Sequence, residues 1–169
     1  MNNYIKKGDI VYTPEWCAKD IIKFYKPSGS ILDCASGKNK VFFNNYPEGC
    51  TKDWCELELG KDFFEYDKKV NWIITNPPYS EFRKFFRKAF EVADNIVWLV
   101  PTWKVFSAYG LQKELIQWGG GIKHIRWYGT GTVLGWSPLA NGIGAVYFKK
   151  GHTNNIIKQS FYNKPKVNE

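Results

Sequence analysis

The residues best placed to do chemistry are Asn76-Pro77-Pro78-Tyr79, which follow the apolar, β-branched run from Val70 to Thr75. An exocyclic amine such as adenine N6 is a poor nucleophile, because its lone pair is delocalised into the ring. The Asn76 side-chain oxygen and the Pro77 main-chain oxygen can accept both amine hydrogens. That localises the lone pair and stabilises the positive charge that grows on nitrogen as it attacks an electrophilic methyl group. Neither Pro77 nor Pro78 has an N–H to offer, and their fixed φ angles stiffen the turn. Tyr79 presents a flat face on which a base can stack. The scheme requires no metal and no covalent intermediate. The plainer competing reading is a turn after a strand, since Asn and Pro are common turn formers.

Such a motif needs a strand to deliver it and a sheet to hold the strand. Apolar runs alternate with helical patterns along the chain, which predicts an α/β domain with a largely parallel sheet. A helix is expected over 13–25, with Thr13 as N-cap, Pro14 at the first helical position and Cys17, Ile21 and Phe24 on one face. Ile31 to Cys34, Thr51 to Leu57, Val70 to Thr75, Asn95 to Val100, His124 to Tyr128 and Ile143 to Lys149 read as strands. A second helix spans Ser80 to Ala93, capped by Ser80 and carrying a Phe82, Phe85, Phe86, Ala89 and Phe90 stripe; a third spans Leu111 to Trp118 and stops at Gly119-Gly120-Gly121. Residues 1–150 form the domain, and 151–169 read as a polar tail, frayed or loosely docked.

Composition narrows the partners. Hydrophobic residues at 44% and charged residues at 24% describe a globular chain of 169 residues, one domain's worth. No apolar run reaches the ~18–20 residues of a membrane helix, and Met1 to Lys7 lacks a signal-peptide core, so no membrane association and a cytoplasmic location are the expectations. Cys17, Cys34, Cys50 and Cys55 contain no C-x-x-C pair, and with two histidines they make no zinc framework; Cys17 and Cys34 read as buried apolar residues. A net charge of +8 and 18% aromatics suit nucleic acid, with phosphate attracted to the cations and bases to the rings. Arg83, Lys84, Arg87 and Lys88 lie opposite the Phe stripe, next to Tyr79, where they would hold phosphates; an ordinary solvated face is the alternative. Trp136, in the Gly-rich loop 129–138, would stack on an extruded base or else tuck beneath its own loop, with Trp127 and Tyr128 as rivals. Trp103, Lys104, Lys123 and Arg126 are further candidates for the nucleic-acid side.

Taken in order, these segments resemble the amino-methyltransferases with an (Asp/Asn)-Pro-Pro-(Tyr/Phe) motif, in particular small, phage-type DNA adenine-N6 methyltransferases, over roughly residues 10 to 150. The resemblance implies a single Rossmann-like methyltransferase domain, a mostly parallel central sheet flanked by helices, and S-adenosyl-L-methionine as cofactor. It implies that Val11-Tyr12-Thr13-Pro14 holds the methionine end of that cofactor, and that Asp33-Cys34-Ala35-Ser36-Gly37 is the Asp-x-x-x-Gly loop beneath it. Glu56 would meet the ribose hydroxyls, Asp62 the adenine amine, and Phe63 the adenine ring; the order of segments matches the gamma-type arrangement. Read singly, Asp33 is a turn residue, Glu56 a surface charge, and Asp62 a cap of a helical turn. Two departures stand out: Asn39 occupies the place of a second loop glycine, and Cys34 that of a proline. With 169 residues there is no room for a separate target-recognition domain, so target choice falls to short loops or to a partner subunit. DNA is the favoured polymer; RNA bases, a protein glutamine amide, and a non-catalytic nucleic-acid-binding subunit are the alternatives.

Overall fold

Successive side chains of a strand point to opposite faces, so a strand covered on both sides needs an unbroken apolar run. The inner strands have it, and the computed structural model, which describes residues 11–163, shows where each face goes. Ile31, Ile74 and Val97 pack with Cys17, Ala18, Ile21 and Ile22. Their neighbours Leu32, Ile73, Ile96 and Trp98 pack on the other face with Phe82, Phe85, Phe86 and Ala89. Cys34 joins this second cluster and Cys17 the first. The Met1–Lys7 segment and residues 164–169 lie outside the described residues.

Seven strands make one sheet: β1 (Ser30–Asp33), β2 (Thr51–Trp54), β3 (Val70–Thr75), β4 (Ala93–Pro101), β5 (Gly120–Gly129), β6 (Ile143–Lys150) and β7 (Lys158–Phe161). Their order is β2-β1-β3-β4-β6-β5-β7. β6 alone runs antiparallel, between β4 and β5, and the other pairings are parallel. This is the mostly parallel α/β sheet expected of a Rossmann-like methyltransferase. The chain steps outward from β1 to β2, then returns to β1's other side at β3, so the order reverses between β1 and β3. In open α/β sheets such a switch point opens a crevice at the strands' carboxyl ends. No described helix is long and apolar enough to cross a membrane.

The helices are α1 (Glu15–Tyr25), α2 (Val41–Asn45), α3 (Phe82–Val92), α4 (Thr102–Phe106) and α5 (Tyr109–Gln117). Several boundaries differ from the sequence expectation. α1 begins at Glu15 with Pro14 at the cap position and no side-chain cap, which leaves Thr13 buried ahead of the helix. α3 begins at Phe82, again without a side-chain cap, so Ser80 does not cap it. β2 stops at Trp54 because Glu56 bridges back to Lys61 and its side chain caps the short 3-10 turn Leu57–Leu59. Gly120 and Gly121 belong to β5 rather than to a helix stop.

The described part of the tail, 151–163, is not simply frayed: Lys158–Phe161 pairs in parallel with β5 as the edge strand. Tyr162 then stacks on Trp16, centroids 4.8 Å apart, and donates its N–H to the Trp127 carbonyl. A four-residue edge strand is short enough to escape period-2 reading, and its side chains are mostly exposed, which erased the apolar signal.

Candidate active site

β1 and β3 carry their last residues, Asp33 and Thr75, to the same level, and the Thr75 hydroxyl donates to Asp33 Oδ1 at 2.7 Å. This buried bond ties the two strand ends that open the crevice. Phe43 N–H donates to the other carboxyl oxygen at 3.3 Å, and Asp33 is fully buried. It therefore does not reach the pocket wall as the resemblance implies; it holds the loop above it from behind.

Burial pushes the Asp33 carboxyl up from its ordinary 3.8 to about 7, although the Thr75 hydroxyl and the N–H groups of Phe43 and Ala35 pull it down. The native state thus holds a proton that the unfolded chain releases. The stability this contributes is complete below 3.8 and is lost as pH rises to about 7. Asp33→Asn has no such titration. Its urea midpoint, measured at intervals from pH 4 to pH 8, should rise relative to the parent by the equivalent of a few kcal/mol. Parallel curves for the two proteins would mean that Asp33 is already ionised in the fold.

Above Asp33 the loop 34–40 turns over the crevice. Gly37 has φ +61°, and a Cβ there would stand 3.5 Å from Asn39 Oδ1 and 3.8 Å from the Tyr12 ring. Gly37 thus supplies both a left-handed turn and open space on the pocket wall. Its N–H donates to Glu56 Oε2 at 2.7 Å, which fastens the β1 loop to the β2 loop. Lys38 and Glu58 join the same two loops by an ion pair of 2.9 Å at the mouth. Asn39, in the place of the second loop glycine, does not take positive φ; Lys40 does, φ 48°, with its ammonium 3.5 Å above the Trp54 ring. The cation–π contact lets a non-glycine residue hold the turn.

The resulting cleft has about 1080 Å³ of free space, part of it continuous with solvent. Of the residues expected to bind cofactor, Tyr12, Thr13, Ala35, Gly37, Glu56, Asp62 and Phe63 stand on its wall, and Pro14 and Asp33 do not. Asp62 also caps the 3-10 turn Phe63–Glu65 through the Phe64 N–H, so its capping role is real as well. Glu56 Oε1 accepts weakly from Glu58 N–H, and each carboxylate keeps lone pairs for a ligand. Apolar wall comes from Phe42, Leu57, Phe64 and Phe85, none of which the sequence singled out as site residues. Phe85 was counted as core because it lies on the α3 stripe, and its ring packs 5.4 Å from Phe63 and 5.2 Å from Phe64. Apolar walls with two carboxylates at one end suit a nucleoside: rings against Phe, hydroxyl and amine hydrogens on the acids.

Asn76 and Pro78 face the same cleft from the end of β3, whereas Pro77 is buried and Tyr79 lies off the wall. Asn76 is held at both ends: Nδ2 donates to the Val11 carbonyl at 3.0 Å, and Oδ1 accepts from the Tyr79 hydroxyl at 3.0 Å. These two bonds fix which way the amide points. Tyr79 was read as a stacking face; its hydroxyl instead reaches back to the amide, so the ring acts first as a brace. Lys104 Nζ stands 3.4 Å from the Tyr79 main-chain oxygen.

The basic residues of α3 are engaged within the chain. Arg83 and Arg87 both donate to Glu114 Oε1 of α5, at 2.6 and 2.7 Å, Lys84 pairs with Glu81, and Lys88 stands 3.6 Å from Glu91. Trp136 is half-buried, and its Nε1 donates to the Tyr12 carbonyl at 2.8 Å, which latches the 130–142 segment to the cleft wall. Arg126 is half-buried and paired with Asp20 at 2.6 Å rather than presented to a ligand.

No protein-family model matches the sequence, and no curated protein matches it. Solved structures share the fold. A protein from Vibrio vulnificus described as a modification subunit of a type I restriction enzyme superposes with a TM-score of 0.60 at 15% identity, over 94% of this chain and 48% of that one. A protein from Listeria monocytogenes described as a class I S-adenosylmethionine-dependent methyltransferase gives 0.64 at 11% identity, over 94% of this chain and 68% of that one. One from Pyrococcus horikoshii described as an RNA methyltransferase gives 0.55 at 17% identity, over 80% of this chain and 81% of that one. The chain spans about half the length of the Vibrio protein. At these identities the likeness establishes the class I S-adenosylmethionine-dependent methyltransferase fold.

Proposed function

We propose that the chain transfers a methyl group from S-adenosyl-L-methionine to an exocyclic amine, with adenine N6 in DNA as the favoured target. The observation that carries this reading is that one cleft runs from Glu56, Asp62 and Phe63 to Asn76. The wall suited to a nucleoside and the oxygen suited to an amine thus share a single space at the switch point of the sheet.

Tyr12, Thr13 and the 34–39 loop would hold the methionine end, Glu56 the ribose, and Asp62 with Phe63 the adenine. When bound, S-adenosyl-L-methionine supplies a methyl group on an electrophilic sulfonium. The rest is done by the chain. Asn76 Oδ1, braced by Tyr79, accepts one hydrogen of the target amine through its remaining lone pair. It binds the amine more strongly as the nitrogen becomes cationic, which is where rate acceleration comes from. Phe63, Phe64 and Phe85 form apolar wall that excludes water from the nucleoside end of the cleft.

A partner subunit that selects the target sequence fits the same reading, since the Vibrio protein is described as a subunit and is about twice as long. The test is tritiated methyl transfer from S-adenosyl-L-methionine to unmethylated DNA, with RNA and protein in parallel and the product digested to nucleosides. Label in N6-methyladenosine of DNA is the expected result. Label in RNA or protein alone moves the substrate. A chain whose melting point is unmoved by saturating cofactor, where about 2.7 kcal/mol of stabilisation is expected at a hundredfold over Kd, is a binding module and not an enzyme.

A further inference from the structure

Two short helices beyond β4 carry a surface that the cleft leaves without a role. Trp103 and Phe106 lie one turn apart on α4, 56% and 48% exposed, and Tyr109 at the start of α5 is 72% exposed. Three large aromatics left in water on consecutive elements form a patch that something is built to cover. Cations lie directly on these rings. Lys104 Nζ is 5.0 Å from the Trp103 centroid and 6.0 Å from that of Tyr79. Lys113 Nζ is 4.8 Å from the Tyr109 centroid. Arg83 rests on the same elbow, for a Cβ at Gly110 would fall 2.5 Å from its Nη2. Glu114 takes the guanidinium groups of both Arg83 and Arg87 on one oxygen, which leaves this corner positive. Through Lys104 the patch is continuous with the Asn76–Tyr79 loop.

Flat rings with ammonium groups beside them match a strand whose bases are unstacked and whose phosphates are anionic. An apolar protein partner would gain nothing from the cations. We propose that the α4–α5 elbow is the docking surface for the strand carrying the target base, with Trp103, Phe106 and Tyr109 stacking on unpaired neighbours of the target and Lys104 and Lys113 meeting their phosphates. This rests on the methyl-transfer reading for its substrate but not for its test.

Fluorescence anisotropy of the full chain with a labelled single-stranded DNA oligonucleotide, and with its duplex, reads the surface without turnover. Trp103→Leu with Tyr109→Leu keeps apolar bulk but removes the stacking faces. It should weaken single-strand binding roughly 10- to 100-fold while leaving the salt slope in place. Lys104→Ala with Lys113→Ala should flatten the plot of log affinity against log salt by about 1.4. Cofactor-induced stabilisation should be the same in all three proteins. Leu and Ala variants that bind within twofold of the parent with an unchanged slope overturn the proposal. So does a parent chain that binds no oligonucleotide, or Leu variants that bind as the parent does while a protein ligand covers the patch. If the predicted binding pattern holds and no methyl transfer occurs, the catalytic reading fails and the docking surface stands.

Discussion

Asn76→Ala is expected to slow methyl transfer by roughly 10²- to 10³-fold, the usual cost of deleting one preorganised polar group that acts on developing charge. The amide oxygen is the group aimed at the amine, and alanine offers nothing in its place. Cofactor binding should fall much less, because the nucleoside end of the cleft lies with Glu56, Asp62 and Phe63. Water can satisfy the Val11 carbonyl and the Tyr79 hydroxyl that the variant abandons. Asn76→Asp separates the two duties of the amide. It keeps an acceptor for the Tyr79 hydroxyl but sets an oxygen where Nδ2 now donates to the Val11 carbonyl at 3.0 Å. Two acceptors face each other, so the 11–13 segment must move away from β3. The aspartate variant should therefore lose cofactor affinity more than the alanine variant does, while retaining more of its single-turnover rate at saturating cofactor. Single-turnover rates and isothermal titration on both variants decide the matter. Parent-like rates for Asn76→Ala would remove the amide from the chemistry.

The frame of this arrangement was readable from sequence because it is local. Val70–Thr75 is apolar except for the exposed Asn71 and the terminal Thr75, stops just before Asn76-Pro77-Pro78, and forms β3 with those boundaries. The α3 stripe repeats at helical spacing, and Phe82, Phe85 and Phe86 are buried as the spacing requires, with Phe90 half-buried at its end. What sequence could not reveal is pairing across distance. Arg83 and Arg87 read as phosphate-holding cations, or else as a solvated face, until α5 brings Glu114 between them, 31 and 27 residues away. Asp33 carries the motif of a cofactor loop, yet its side chain turns inward to Thr75, 42 residues on. Trp136 was open to two readings, and neither included the bond its Nε1 makes to the Tyr12 carbonyl, 124 residues away. Short elements escape for a different reason. α2 and α4 have five residues each, too few for a helical period to register.

Asp20→Ala should destabilise the fold by about 1–3 kcal/mol, the usual cost of leaving a largely enclosed charged donor without its acceptor. Asp20 Oδ2 accepts from Arg126 Nε at 2.6 Å and from the Tyr128 hydroxyl at 2.5 Å, while Oδ1 accepts from Arg126 Nη2 at 2.9 Å. The side chains are 19% and 13% exposed, so solvent screens them little. Phe24 covers the guanidinium at 4.4 Å, and losing the carboxylate strands a charge beneath that ring. The sequence offered Arg126 as a contact for nucleic acid; the fold uses it to pin α1 to β5 instead. Arg126→Leu in the Asp20→Ala background removes the stranded charge and should recover much of the loss. The non-additivity of the two substitutions in urea unfolding measures the pair directly. The pinning also reaches the cleft. α1 is entered from Tyr12-Thr13-Pro14, and Thr13 stands on the cleft wall. Asp20→Ala should therefore weaken cofactor binding at temperatures where the chain is still folded, and the double variant should restore it in step with stability. If Asp20→Ala unfolds with the parent's midpoint, α1 is seated by its apolar face, Cys17, Ala18, Ile21 and Ile22, together with the Trp16 and Tyr25 contacts, and the ion pair contributes nothing to the wall it adjoins.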